Sequence, residues 1–152
     1  MQYSRQLTAL LLQEPDDIEK VAIRAHNARE RMALTEAIYT IMSHSYGCDI
    51  QLLRHVAECN RLQQMLCRRT RWARGARRAR LLMLQSAIPA AENATEELRR
   101  YLNSRDSDVR ISALLATLAA TPTMAIRTIS ALEYELSPFD LARIISLLRR
   151  GL

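Results

Sequence analysis

Hydrophobic positions recur at helical spacing along most of the chain. Leu7, Leu10 and Leu11 form the first stripe and predict a short helix over 3–14. Pro15-Asp16-Asp17 then marks a break, with Asp16 or Asp17 placed to cap a helix from about Asp17 to His26. Its apolar positions are Ile18, Val21, Ala22 and Ala25. Met32, Ala33, Ala37, Ile38, Ile41 and Met42 make a strong face over 30–43, and the spacing leaves open whether 17–43 is one helix or two. Ser43 to Gly47 predicts a turn and Asp49 a cap, followed by a helix with Leu52, Leu53, Val56 and Ala57 on its face. Cys59-Asn60 is a continuation or a junction before the stripe Leu62, Met65, Leu66. Gly75 predicts a turn or a close helix approach. Beyond it Ala76, Ala79, Met83 and Ala87 share a helical face with Leu82 beside them, and Pro89 ends or kinks that helix.

The C-terminal half repeats the theme. Thr95 can cap a helix through Leu102, with Leu98 and Leu102 one turn apart. Ser104 to Asp108 is a polar turn, and Val109, Ala113, Leu114 and Leu118 form the apolar face of the helix that follows. Asp106 or Asp108 can accept from the free N–H groups at its start. Asp106 and Arg110 stand four apart as an ion pair in the first turn. Thr121-Pro122 starts another segment, with Ile126, Ile129, Leu132 and Leu136 expected to be buried. Ser137-Pro138 is a helix start whose face is Leu141, Ile144, Ile145 and Leu148; Arg149 and Arg150 suit its C-terminal dipole and Gly151 can cap it.

The run Asp106-Ser107-Asp108-Val109-Arg110, with Ala113, Leu114 and Leu118 after it, resembles the turn and second helix of a HEAT repeat. Asp108, Val109, Arg110, Ala113 and Leu114 carry the match; the Pro usual in that turn is absent. The resemblance implies a short right-handed α-α superhelix of stacked helix pairs, used for scaffolding and binding far more often than for catalysis. It also implies that Arg110 extends toward the turn of the adjacent repeat. Internal echoes agree with it. Leu62 and Leu66 precede Leu98 and Leu102 by 36 residues, and Ala76-Arg77 with Leu81-Leu82 precede Val109-Arg110 with Leu114-Leu115 by 33. A further shift brings Arg143, Leu147 and Leu148 into the same places. A helix pair cannot bury its apolar face alone, so neighbours must stack on it. A non-repeating helical bundle fits the same composition.

The composition of all 152 residues supports an all-α chain: 49% hydrophobic, 5% aromatic, three Gly, four Pro, and a preponderance of Leu, Ala, Met and Arg. Residues 1–152 read as one domain, and the chain can equally be the soluble part of a longer protein. Three cysteines, Cys48, Cys59 and Cys67, are too few for a disulfide framework and fit a reducing, cytoplasmic setting. No run is apolar enough for a membrane span, while peripheral or upstream anchoring stays open.

Charge changes the picture most. The net charge is +6, and of 22 basic residues only Lys20 is not an arginine. Arg68, Arg69, Arg71, Arg74, Arg77, Arg78 and Arg80 crowd thirteen residues together with Trp72, and no acidic residue occurs between Glu58 and Glu92. Guanidinium groups bind carboxylate and phosphate through a fixed donor fork. The cluster therefore predicts a contact with an acidic protein surface or, as an alternative, with nucleic acid, where Trp72 would stack on a base or sugar. The bland reading pairs these arginines with Glu92, Glu96 or Glu97 and packs Trp72 in the core.

His44 with Cys48 and His55 with Cys59 have the i,i+4 spacing of metal ligands, but Gly47 interrupts the first pair and no CxxC occurs, so no metal is expected. Phosphate loops, HExxH and nucleophile elbows are missing from the sequence, and no cofactor or catalytic residue is assigned. The expectation is a non-enzymatic scaffold or protein-interaction module. Its candidate contact residues are the Arg68–Arg80 cluster with Trp72, and its structural motif is Asp106, Asp108, Val109, Arg110, Ala113 and Leu114.

Overall fold

The computed structural model describes residues 2–13, 23–44, 50–88 and 95–151. Its described residues are all-α, with no strand among them. The helices are α1 (Gln2–Gln13), α2 (Ala28–His44), α3 (Ile50–Cys59), α4 (Leu62–Trp72), α5 (Gly75–Ala87), α6 (Thr95–Arg99), α7 (Ser107–Ala120), α8 (Ala125–Ser130) and α9 (Pro138–Gly151), with a 3₁₀ turn at Pro122–Met124 before α8.

Local chemistry explains the boundaries. Residues 23–26 are not helical, unlike the end of the helix expected from about Asp17 to His26, whose earlier part lies outside the described residues. Instead Asn27 opens α2: its Oδ1 accepts from the Glu30 N–H at 2.8 Å, and Glu30 reaches back to the His26 N–H at 2.6 Å. Cys59-Asn60 is a junction. Arg61 adopts a left-handed φ of 51°, and the buried Asn60 side chain staples the segment before α2 to the end of α3. It accepts from the Ala25 N–H at 2.7 Å and donates to the carbonyls of Ile23 and Val56 at 2.9 and 2.8 Å. Asp106 caps α7, accepting from the N–H groups of Asp108 and Val109. Ser137 caps α9 by accepting from the Asp140 N–H at 3.1 Å, and Pro138 occupies the first helical position. The helix expected from Thr95 to Leu102 ends at Arg99 and continues as turns through Asn103. The expected break at 15–17, the turn at 45–47, the Asp49 cap and the stop at Pro89 lie outside the described residues.

Among the described residues three apolar clusters follow one another along the chain. The first joins α1 to α5 around Leu7, Leu34, Ile38, Leu53, Leu66 and Leu84. The second joins α5, α6 and α7 through Ala79, Leu82, Leu98, Val109, Ala113 and Ala116. The third joins α7, α8 and α9 through Ile111, Leu114, Leu118, Ala125 and Ile144. Helix α5 therefore presents Leu81 and Leu84 to one core and Ala79 and Leu82 to the next, rather than the single face expected from Ala76, Ala79, Met83 and Ala87; Ala76 is exposed. Every residue of α7 from Ile111 to Leu118 is buried, because α5 and α6 cover one side and α8 and α9 the other.

The last helices are less covered than their sequence pattern suggested. Ile126 is 83% exposed, and Leu141 and Ile145 are 42% and 50% exposed. Helix α9 meets α7 through Ile144, Leu147 and Leu148, a face rotated from the expected one. The Arg110 guanidinium bonds the Ser104 carbonyl of its own turn at 3.0 Å and lies 4.8 Å from the Tyr134 ring centre. No single helix among the described residues is long and apolar enough to cross a membrane.

Candidate macromolecule-binding surface

The arginine cluster spans the end of α4, a two-residue link and the first turns of α5. Leu62, Leu66 and Thr70 recur every fourth residue and turn inward, which leaves Arg68, Arg71 and Trp72 on the outer face of α4. Ala73 closes the helix with its N–H on the Arg69 carbonyl, and Arg74 is extended. Gly75, at φ +56°, makes the left-handed step into α5. From there Arg77 and Arg80 point outward while Ala79 turns into the second core.

Three of the seven arginines are used internally. Arg71 forms a two-pronged ion pair with Glu97 of α6, its Nε donating to Oε2 at 3.2 Å and its second nitrogen to Oε1. That pairing holds the Glu97 carboxyl below the ordinary carboxylate range, and raises the Arg71 pKa. Arg78 donates to the carbonyls of Thr70 and Arg71, both at 3.1 Å, and its guanidinium stands 4.9 Å from the Tyr101 ring centre. It thus satisfies the free carbonyls at the end of α4. Arg80 pairs with Glu36 of α2 at 2.6 Å and covers the Tyr39 ring. Beneath these contacts Gln85 donates to the Thr70 hydroxyl at 2.9 Å and accepts from the Cys67 thiol at 3.7 Å. Burial pushes the Cys67 thiol up; nearby Glu97 adds to the shift and Arg71 opposes it.

Arg68, Arg69, Arg74 and Arg77 make no ion pair among the described residues, and Arg69 alone of these is half-buried. Trp72 stands 86% exposed between them. The bland reading, with Trp72 in the core, therefore fails at its central residue. Its pairing with acids holds for Arg71 and Glu97, while Glu96 pairs instead with Arg99 at 3.8 Å; Glu92 lies outside the described residues.

Tertiary structure adds two residues that the linear cluster did not contain. Arg100 and Tyr101, from the turn after α6, line a shallow hollow together with Arg68, Arg71 and Trp72. The adjacency of Arg99, Arg100 and Tyr101 was a signal of basic and aromatic character. Its distance along the chain from Trp72 hid their meeting. The hollow offers cations, an exposed indole face and a half-buried phenol ring, a set suited to holding an anion or a planar group.

The motif residues lie elsewhere. Val109, Ala113 and Leu114 are buried in α7, Asp106 caps it, Asp108 is exposed in its first turn, and Arg110 bonds the turn before it. His55 and Cys59 are within 3.4 Å of one another (Nε2 to Sγ), and no group of three His, Cys, Asp or Glu residues gathers among the described residues. Cys48 is outside them. No family model, no curated protein and no solved structure matches this chain.

Proposed function

We propose that the chain is a non-enzymatic interaction module, a short solenoid of HEAT-like helix pairs that holds an acidic partner protein against the face containing Arg68, Arg74, Arg77 and Trp72. The observation that carries the reading is the 86% exposure of Trp72 near Arg68, Arg74 and Arg77, which lack carboxylate partners among the described residues. Exposed Trp and Arg are the residue types that supply most binding energy when a partner desolvates them. A reducing, cytoplasmic setting belongs to the same reading and suits the free thiols of Cys59 and Cys67.

Successive helix pairs support the solenoid part. Helix α5 packs on α7, and α7 on α9, in chain order. Arg78 and Arg110 also play the same part in successive pairs: each donates to a carbonyl just before its own helix and covers a tyrosine from the segment that follows. The register of this pairing puts Arg78, not Arg77, in the place of Arg110.

Binding of single-stranded nucleic acid is the second reading, and the hollow of Trp72, Tyr101 and Arg100 favours it. Bases stack on exposed aromatics while cations hold the phosphates. Trp72 is the only tryptophan, so its fluorescence reports this surface directly. The test titrates a Glu-rich peptide, and separately single-stranded and duplex DNA and RNA, at low and high salt. Saturable peptide binding that weakens with salt and is lost in an Arg74→Glu, Arg77→Glu variant is expected. Tighter, salt-sensitive binding of single strands would replace the first reading by the second. No response to either ligand at low salt would remove both.

A further inference from the structure

A second concave site lies on another part of the molecule. It is a groove of about 400 Å³ where α2, α3, α5, α7 and α9 converge, within the size range of small-molecule sites, roughly 300–1,000 Å³. Met42, Leu147 and Leu148, each partly exposed, supply apolar wall. The only charged lining residues, among those described, are Arg54 and Arg143.

Neither guanidinium has a carboxylate partner among the described residues. Arg143 is half-buried, yet among the described residues its one side-chain hydrogen bond goes to the thioether sulfur of Met83, at 3.1 Å. The Phe139 ring also lies near it, 5.8 Å from the guanidinium carbon. A thioether is a weak acceptor and a ring face at that distance a weak attraction. The other donors of Arg143 have no protein partner among the described residues and are open to solvent beside the groove. Arg54 stands exposed beside the same groove.

We propose that this groove binds an anionic amphiphile, an alkyl chain ending in a carboxylate. The chain lies along Met42, Leu147 and Leu148, and the carboxylate meets Arg143 with Arg54 nearby. Hydrocarbon burial supplies most of the attraction and the arginines select the charged end. The site shares no residue with the Trp72 surface, so its fate is independent of the function proposed above.

The test is calorimetric titration of the whole chain with decanoate, and with decanol as the uncharged chain of equal length. One saturable site is expected, with decanoate about tenfold tighter than decanol, as one added charge-assisted contact implies. Arg143→Gln and Arg54→Gln should each reduce that preference while decanol binding is unchanged. Helical circular dichroism checks that each variant is folded. If Arg143→Gln loses its helical signal, Arg54→Gln decides, because its exposed side chain makes no ion pair or side-chain hydrogen bond among the described residues. Equal binding of decanoate and decanol, a preference that survives in the folded variants, or no saturable binding of decanoate would each overturn the proposal.

Discussion

Gly75 shows how much one backbone angle controls here. Its φ of +56° turns the chain from α4 into α5, and space is open around the position where a Cβ would stand. The cost of a side chain at Gly75 is therefore conformational and not steric. Gly75→Ala should lower unfolding free energy by about 1–2 kcal/mol, read from urea denaturation. An unchanged midpoint would mean that the turn can relax without loss. Asn60 makes the complementary point. It is an unremarkable letter in the sequence, yet its amide satisfies three backbone groups on two segments. Nothing about its neighbours in the chain announces that role, because two of the three partners lie more than thirty residues away.

Helices α4 and α6 are joined across the surface by Arg71 and Glu97. The pairing depresses the Glu97 pKa, so its contribution to stability is fully present above the unfolded carboxyl pKa. It is lost as pH falls through the lower, folded value. Glu97→Gln should therefore melt below the parent at neutral pH, and the gap should close on acidification through that range. Thermal melts at neutral and acidic pH check this, and added salt should also shrink the gap, since both groups contact solvent. A gap that widened at low pH would reverse the assigned sign. The same pair explains why the arginine cluster divides. Arg71, Arg78 and Arg80 hold α4, α5 and their neighbours together, and Arg68, Arg74 and Arg77 remain on the surface without ion pairs among the described residues.

The molecule as a whole depends on α7. It carries Val109 and Ala113 in one cluster and Ile111, Leu114 and Leu118 in the next, so loss of packing there reaches both. Leu114 is fully buried. Leu114→Ala should cost about 2–5 kcal/mol, measured by denaturant unfolding, through lost burial and the cavity left behind. A cost under about 1 kcal/mol would indicate that the cores collapse around the gap. Where the last helices lack a further neighbour, apolar side chains stay in contact with solvent: Ile126, Phe139, Leu141 and Ile145.

The sequence by itself determined the all-α class, most helix centres and the cap at Ser137, and narrowed the α7 cap to Asp106 or Asp108, because these depend on residues within a few positions of each other. It also located the basic cluster and the flexible position at Gly75. Only tertiary structure decided which faces were buried. Periodicity reports that a helix has an apolar side, not how many neighbours it meets. Thus α5 serves two cores, α7 is covered all round, and α9 turns Ile144 inward while Ile145 stays half in solvent. Tertiary structure also separated the arginines that support the fold from those with no ion pair. It brought Arg100 and Tyr101 beside Trp72, a contact between distant segments for which local spacing carries no signal.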